Sequence, residues 1–340
     1  MKDKGKFIKN LLIFVLLIIL TFYILLKDQN ILEIFSIISS IKIQYILVGI
    51  LCMAIYIILE AVNIGRTLKA LNEKSNFLSN IKYALIGFFF SAITPAASGG
   101  QPMQIYYMYK DNISISNSTL ALLLNLLSMQ ISTIGIALVS LIFNYGYLNN
   151  FLIACFVLGV FLNSTALILL LIAIFSKRMS AGLINIAIKV LRFFRIKNIE
   201  QKKEKFEYEL KQYQENAVFV RNNVRLILKT LVTTLIQFLI YYSITYWVYL
   251  SFGFTEHNIL QLISMQSVLY ATVSGIPSPG AVGVSEGAFM QIFRQIYPET
   301  TISSAVLLNR GINFYLFVLV SGIVIIINQL RMNRKDKVKE

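Results

Sequence analysis

TPAASGGQP, Thr94 to Pro102, and its distant echo SPGAVGV, Ser278 to Val284, decide how this chain folds. Four of its five prolines, Pro95, Pro102, Pro277 and Pro279, fall in or beside these stretches. Each stretch interrupts an apolar run with small residues. Proline removes a backbone donor and glycine loosens the backbone, so both break helices. Inside a bilayer a broken backbone is tolerated only where protein or a water-filled cavity surrounds it. Two breaks within apolar runs therefore mark a site, and the rest of the chain reads as its frame.

The frame is membrane-embedded. The chain is 57% hydrophobic and only 14% charged, with mean hydropathy +0.70. Soluble domains carry more charge and less apolar content. Several windows reach the roughly 20 apolar residues that span a bilayer. The predicted fold class is an all-α polytopic membrane protein. The net charge of +15 lies in the loops, so it reads as topology and attraction to anionic head groups rather than nucleic-acid binding. Cys52 and Cys155 lie in apolar spans and read as packing residues. The single histidine, His257, falls in an expected outer loop, which argues against zinc or histidine catalysis. The N-terminal apolar run lacks a small-residue cleavage site and reads as an uncleaved first span.

Apolar runs lie at 7–26, 45–64, 83–93, 103–109, 118–143, 151–175, 230–251, 259–275, 286–297 and 302–330. The run at 83–107 is too short for two full spans. Loop charge then sets its path. The N-terminus carries +3, the 65–82 loop +3, the 176–229 segment +8 and the tail from Arg331 +3, whereas 27–44 and 144–150 are neutral. These basic segments all stay cytoplasmic only if 83–107 and 259–297 enter and leave on one side, which 259–297, at 39 residues, could do either as a hairpin or as two short full spans. The expectation is one membrane domain over 1–340, with six full transmembrane helices plus two re-entrant broken-helix hairpins. Both termini are then cytoplasmic. Repeat one covers 45–143 with its hairpin at 83–107, and repeat two covers 230–330 with its hairpin at 259–297. The two have opposite orientation, an inverted repeat of the kind found in transporters.

An ungapped offset supports the repeat. Pro95 and Pro279 are 184 positions apart, as are Ala97 and Ala281, Gly99 and Gly283, and Thr94 and Ser278. The same offset aligns Ala121–Asn125 with Ala305–Asn309. The 176–229 segment is expected to be a basic cytoplasmic arm. Its first part, 182–197, reads as an interfacial helix. Its second part spaces Phe206, Leu210, Tyr213, Ala217, Val220 and Val224 by fours and threes, a helix face that packs on a partner.

Charge inside a span is costly, so four residues stand out: Glu60, Glu286, Arg294 and Arg310. Glu286 opens the second arm of hairpin two, beside the broken backbone. Arg310 lies in the last span next to Asn309, the repeat partner of Asn125, and is a counter-charge for Glu286 or for a lipid phosphate. Arg294 lies near the membrane edge and reads as snorkelling. Glu60 lies late in the second span, near Asn63 and Arg66, and reads either as functional or as reaching the interface. Hairpin one offers Thr94, Ser98, Gln101 and Gln104. Gly99, Gly100, Gly280 and Gly283 would permit close backbone approach by a ligand or another segment. There is no P-loop, no catalytic triad, no metal-ligand cluster and no dinucleotide fingerprint. No catalytic residue and no cofactor is implied.

TPAASGGQPMQIYY followed by PSPGAVGVSEGA resembles the lysylphosphatidylglycerol synthase transmembrane, or flippase-like, family over nearly the whole chain. Pro279, Gly280, Gly283 and Glu286 match that family's proline-glycine-glutamate motif, and Ala281 stands where a glycine is usual. The chain is similar to the membrane flippase part of multiple-peptide-resistance proteins. The resemblance implies a cell-membrane lipid translocase that moves a phospholipid, plain or lysyl-modified, between leaflets, with a role in resistance to cationic antimicrobial peptides. The alternative it implies is a phosphatidylglycerol lysyltransferase component. That activity would need lysyl-tRNA and a cytoplasmic aminoacyltransferase partner, because only ten residues follow the last expected span.

Overall fold

The structure, a computed structural model, describes residues 39–338 apart from 145, 147, 177–181, 183, 184, 187, 191 and 194–202. The expected first span, 7–26, lies outside the described residues, as does half of the interfacial helix at 182–197. The described chain is helical, without a strand among the described residues. Among the described residues five stretches are long and apolar enough to cross a membrane: Ile43–Ala70, Ile115–Phe143, Asn150–Ile174, Val224–Ser251 and Glu299–Gln329. Phe77–Ala92 and Ile259–Val273 are shorter apolar helices.

In order, the helices are α1 (Ile43–Ala70), α2 (Phe77–Ala92), α3 (Gly100–Lys110), α4 (Ile115–Asn144), α5 (Asn150–Phe175), α6 (Lys203–Asn222), α7 (Val224–Ser251), α8 (Ile259–Val273), α9 (Val284–Ile292), α10 (Glu299–Arg310) and α11 (Leu316–Val338). Asparagine starts four of them. Asn76, Asn149, Asn223 and Asn258 each accept a backbone N–H of the first turn of α2, α5, α7 and α8, which satisfies a donor that the helix leaves unpaired. The hydrophobic runs understate the spans, because α1 and α7 continue through polar turns that apolar counting ends at 64 and begins at 230.

The two breaks form as short 3₁₀ turns, Pro95–Ala97 and Pro279–Ala281. They share a backbone signature. Thr94 and Ser278 are extended, and both following pairs, Ala96–Ala97 and Gly280–Ala281, adopt left-handed φ near +55°. In the first break the Thr94 hydroxyl donates to Phe90 O at 2.5 Å and accepts Gly99 N–H at 2.9 Å. This side-chain bridge ties the end of α2 to the start of α3 in place of a helical ladder.

Beyond the first break the chain doubles back. Gln104 donates to Tyr83 O at 3.1 Å, and at the far end Lys82 and Tyr83 both hold the Asp111 carboxylate, Tyr83 at 2.6 Å. The contacts run in opposite order along α2 and α3, so the two helices form an antiparallel hairpin, which extends from 77 to 110 rather than 83–107. Gly100 lies against Gly87 O and Ser91, so it admits a neighbouring helix and not a ligand. α8 and α9 pack against each other in the same way around the second break, and this hairpin ends at Ile292 instead of 297.

α1 and α7 form the central pair, also antiparallel. Lys42 N–H meets Ser251 O, Gln237 donates to Tyr56 O, Asn63 to the Thr234 hydroxyl, and Arg66 to Lys229 O and the Thr233 hydroxyl. Such interhelical bonds supply cohesion in lipid, where apolar association gains little. Hairpin one packs with α1 and the start of α4. Hairpin two packs with α10 and the start of α5. The two breaks touch each other, and Val282 at the tip of hairpin two joins the apolar core of the first half.

α6 docks on α4, α5 and α7. Tyr213, Ala217 and Val220 are buried and Leu210 packs beside them, and Tyr213 donates to Ala173 O at 3.2 Å. Burial pushes the Tyr213 phenol up, so it stays a neutral donor. Val224 departs from the expected stripe, being 60% exposed, because α6 ends at Asn222 and Val224 begins a new helix. Glu209 accepts Ser116 N–H at 2.8 Å and Glu73 accepts Ser114 N–H at 3.1 Å. Two carboxylates thus meet the first turn of α4, where the helix dipole favours negative charge.

Candidate functional site

The breaks position the site. Past Pro279, Gly280 takes φ +58° and Gly283 takes φ +84°, and α9 then begins with Glu286 in its first turn. The Glu286 carboxylate folds back to accept Gly283 N–H at 2.8 Å through Oε2. This is a helix cap supplied by a buried acid.

The other oxygen, Oε1, is shared. Arg310 donates to it from Nε at 2.9 Å and Tyr315 from its hydroxyl at 2.9 Å. Arg310 also donates from Nη2 to Gly280 O at 2.9 Å. Glu286 is 1% and Arg310 6% exposed, so neither charge is hydrated, and each is stable only while the other stays. The guanidinium stacks over Phe314, 4.3 Å from the ring centre, which adds a cation–π contact.

A wide turn makes this convergence possible. Gly311–Tyr315 is a π-helical turn between α10 and α11. It inserts extra chain into the helix, and such turns often lie at functional sites. Arg310, Phe314 and Tyr315 all reach hairpin two as a result. Phe314 packs so closely on Gly280 that a β-carbon there would stand 2.2 Å from its ring. On its other side Phe314 faces Phe88 of hairpin one, with ring centres 6.2 Å apart.

The structure thus brings Gly280, Gly283, Glu286 and Arg310 together and sets Pro95 and Pro279 in touching turns. Other expected site residues lie elsewhere. Thr94 is engaged in its own turn. Ser98 is exposed, and Gln101 is half-buried on α3. Gly99 lies against Thr94 and Phe90 O, an intrahairpin contact. Pro102 is half-buried within α3, and Pro277 is exposed before the second turn. Asn309 lies 3.2 Å from the Thr245 hydroxyl, which is also 2.9 Å from Gln266 Oε1. Asn125 is buried with its Oδ1 unpartnered and does not bond Asn309. Arg294 pairs with Glu299 at an exposed site. Among the described residues no metal-ligand group occurs, and Cys52 and Cys155 are free thiols.

Sequence reasoning missed Phe314 and Tyr315. Their only signal was register, since a regular helix places Tyr315 away from Glu286 and only the π-turn corrects it. It also left Glu60 open. Glu60 is half-buried on α1, and the Gln104 amide of hairpin one faces it.

Comparison with curated proteins returned no match. The helical frame, the glycine-proline breaks and the acid that follows them agree with a family-level match over residues 8–321. By that match the chain is a multi-pass membrane protein that belongs to the family described as the lysylphosphatidylglycerol synthase TM region.

Proposed function

We propose that this protein is a cell-membrane lipid translocase that moves an anionic or lysyl-modified phospholipid between leaflets and thereby contributes to resistance against cationic antimicrobial peptides. One observation carries the reading: two broken hairpins touch at their breaks, and a buried Glu286–Arg310 pair locks one tip to the last span. Broken helices that meet within a membrane domain are the common architecture of transport sites. The halves are read as an inverted repeat of six spans and two re-entrant hairpins with cytoplasmic termini. The antiparallel α1 and α7 are equivalent under the 184-residue offset and support that reading. Rocking of one half against the other would part the tips and open a polar path for a head group, with the acyl chains remaining in the bilayer. Arg310 is the cation that a lipid phosphate would meet.

The test is movement of head-group-labelled phosphatidylglycerol and its lysyl ester in proteoliposomes. Movement that is lost in Glu286→Gln, with folding retained, supports the translocase. Equal movement in folded Glu286→Gln removes the latch from the mechanism, and no movement of either lipid removes the translocase. The family description names a synthase and so favours a second reading, a lysyltransferase component with a cytoplasmic partner. Co-purification of an aminoacyltransferase or of tRNA with the full chain would select it.

A further inference from the structure

We infer that Glu60, together with Tyr56, Tyr241 and Tyr270, forms a subsite for a primary ammonium, and that this subsite selects the head group. The inference rests on the translocase reading only for its biological use, since the chemistry stands on the site itself.

Among the described residues two carboxylates lie within the apolar frame, and they differ in kind. Both oxygens of Glu286 are engaged, by Arg310, Tyr315 and Gly283, and the side chain is closed off at 1% exposure. Glu60 has no ion-pair partner among the described residues. Its polar neighbour is the neutral Gln104 amide, and it remains half-buried, as do Tyr241 and Tyr270. A carboxylate half-buried within an apolar frame is costly unless a cation joins it.

Its position follows from the α1–α7 pair. Gln237 donates to Tyr56 O and Asn63 to Thr234, so Glu60 lies between these contacts, opposite the middle of α7. Ten residues, about 15 Å of helix, separate it from the end of α1 at Ala70, and the polar turns of α1 that carry Arg66 and Lys69 lie between.

Its surroundings are aromatic. Tyr56 and Tyr270 lie within electrostatic reach of Glu60. Tyr241 packs on Tyr56 at 4.9 Å between ring centres and on Tyr270 at 5.9 Å. Phenol groups and aromatic rings near a carboxylate are a combination that attracts an ammonium, by charge, by hydrogen bonding and by cation–π contact. Tyr241 also lies within electrostatic reach of Arg310. Through its packing on Tyr56 and Tyr270 it links the surroundings of Glu60 to those of the buried guanidinium. A ligand with an ammonium at one end and a phosphate at the other matches that order of charges. The shape of hairpin one serves this arrangement, because Gly87 leaves room for the Gln104 amide, which a β-carbon would approach to 2.4 Å.

The experiment compares binding of short-chain phosphatidylglycerol and its lysyl ester to the detergent-solubilised full chain, with lysine methyl ester as a soluble competitor. The wild type is expected to prefer the lysyl lipid, and Glu60→Gln to reduce that preference about tenfold, the scale of one charge-assisted hydrogen bond. Tyr270→Leu, which leaves the carboxylate in place, should reduce it by less. A wild type without preference overturns the inference, as does an unchanged preference in folded Glu60→Gln. If Glu60→Gln does not fold, an unchanged preference in Tyr270→Leu overturns it instead. Competition by lysine methyl ester at equal strength supports the ammonium site and assigns it to a free amine rather than a lipid. A Glu60-dependent preference without lipid movement in proteoliposomes keeps the subsite and removes the translocase.

Discussion

The ring of Phe314 occupies the space where Gly280 would carry a β-carbon, 2.2 Å from the ideal position. The contact joins the tip of hairpin two to the π-turn of the last span. Gly280 also has φ +58°, so two constraints fall on one residue. Gly280→Ala is expected to cost about 1–2 kcal/mol from the left-handed backbone, plus the displacement of Phe314. Thermal unfolding of the solubilised protein should show a clear loss. Ala281→Gly, at a neighbouring φ of 52°, should be neutral or stabilising by up to about 1 kcal/mol.

Glu286 and Arg310 should behave as a unit. Either Glu286→Gln or Arg310→Gln leaves one buried charge unpaired, at a cost of about 3–5 kcal/mol. The double variant should lose less than the sum, and a double-mutant cycle measures the difference. Arg310→Lys should not rescue, because Nε and Nη2 serve two different acceptors and a single ammonium cannot reproduce that fork. Additive losses would show that the pair is not coupled.

Gly87 and Gln104 should show suppression. Gly87→Ala drives a methyl group into the Gln104 amide and should destabilise hairpin one by about 1–3 kcal/mol. Adding Gln104→Ala removes the colliding group, so the double variant should unfold at a higher temperature than Gly87→Ala alone. The reverse order would mean that the amide does not occupy this space.

The docking of α6 depends on Glu209, which is 4% exposed and accepts Ser116 N–H. Glu209→Ala should cost about 0.5–2 kcal/mol, the range for a lost helix cap. Hydrogen exchange should rise in α6 and in the first turn of α4, while the hairpins stay protected. Faster exchange confined to the hairpins would place the docking energy elsewhere.

The re-entrant reading of hairpin one has a direct test. Leu78 and Asn112, both exposed at its two ends, should be labelled from the same side of the membrane. Leu78→Cys and Asn112→Cys, in a background lacking Cys52 and Cys155, can be probed with an impermeant maleimide. Labelling from opposite sides would make 77–110 a crossing segment.

Much of the frame was legible because its causes are local. Pro95 and Pro279 break helices whatever surrounds them, since a missing N–H cannot join a ladder. The fours-and-threes stripe of α6 located Tyr213, Ala217 and Val220 because helical periodicity is a property of the chain itself. The stripe failed at Val224, where Asn223 starts a new helix and ends the register. Thr94 illustrates the limit from the other side. Its residue type suggested a ligand, but a threonine hydroxyl beside a broken helix finds the nearest orphan backbone groups first.

The sequence by itself determined that the chain is helical and membrane-spanning, where its helices break, and that Glu286 follows a break. Composition, proline and glycine chemistry and the 184-residue offset carry that much, because each acts over a few residues or over a whole span. Only the tertiary structure decided which acid is engaged and which is left unmet. Glu286 is closed off because the π-turn swings Arg310 and Tyr315 onto it from 24 and 29 residues away. Among the described residues Glu60 meets no cation, because the helices packed around it present tyrosines and the Gln104 amide. A charge's partner is set by which helices meet and in what rotation, and that choice is made by packing across the fold.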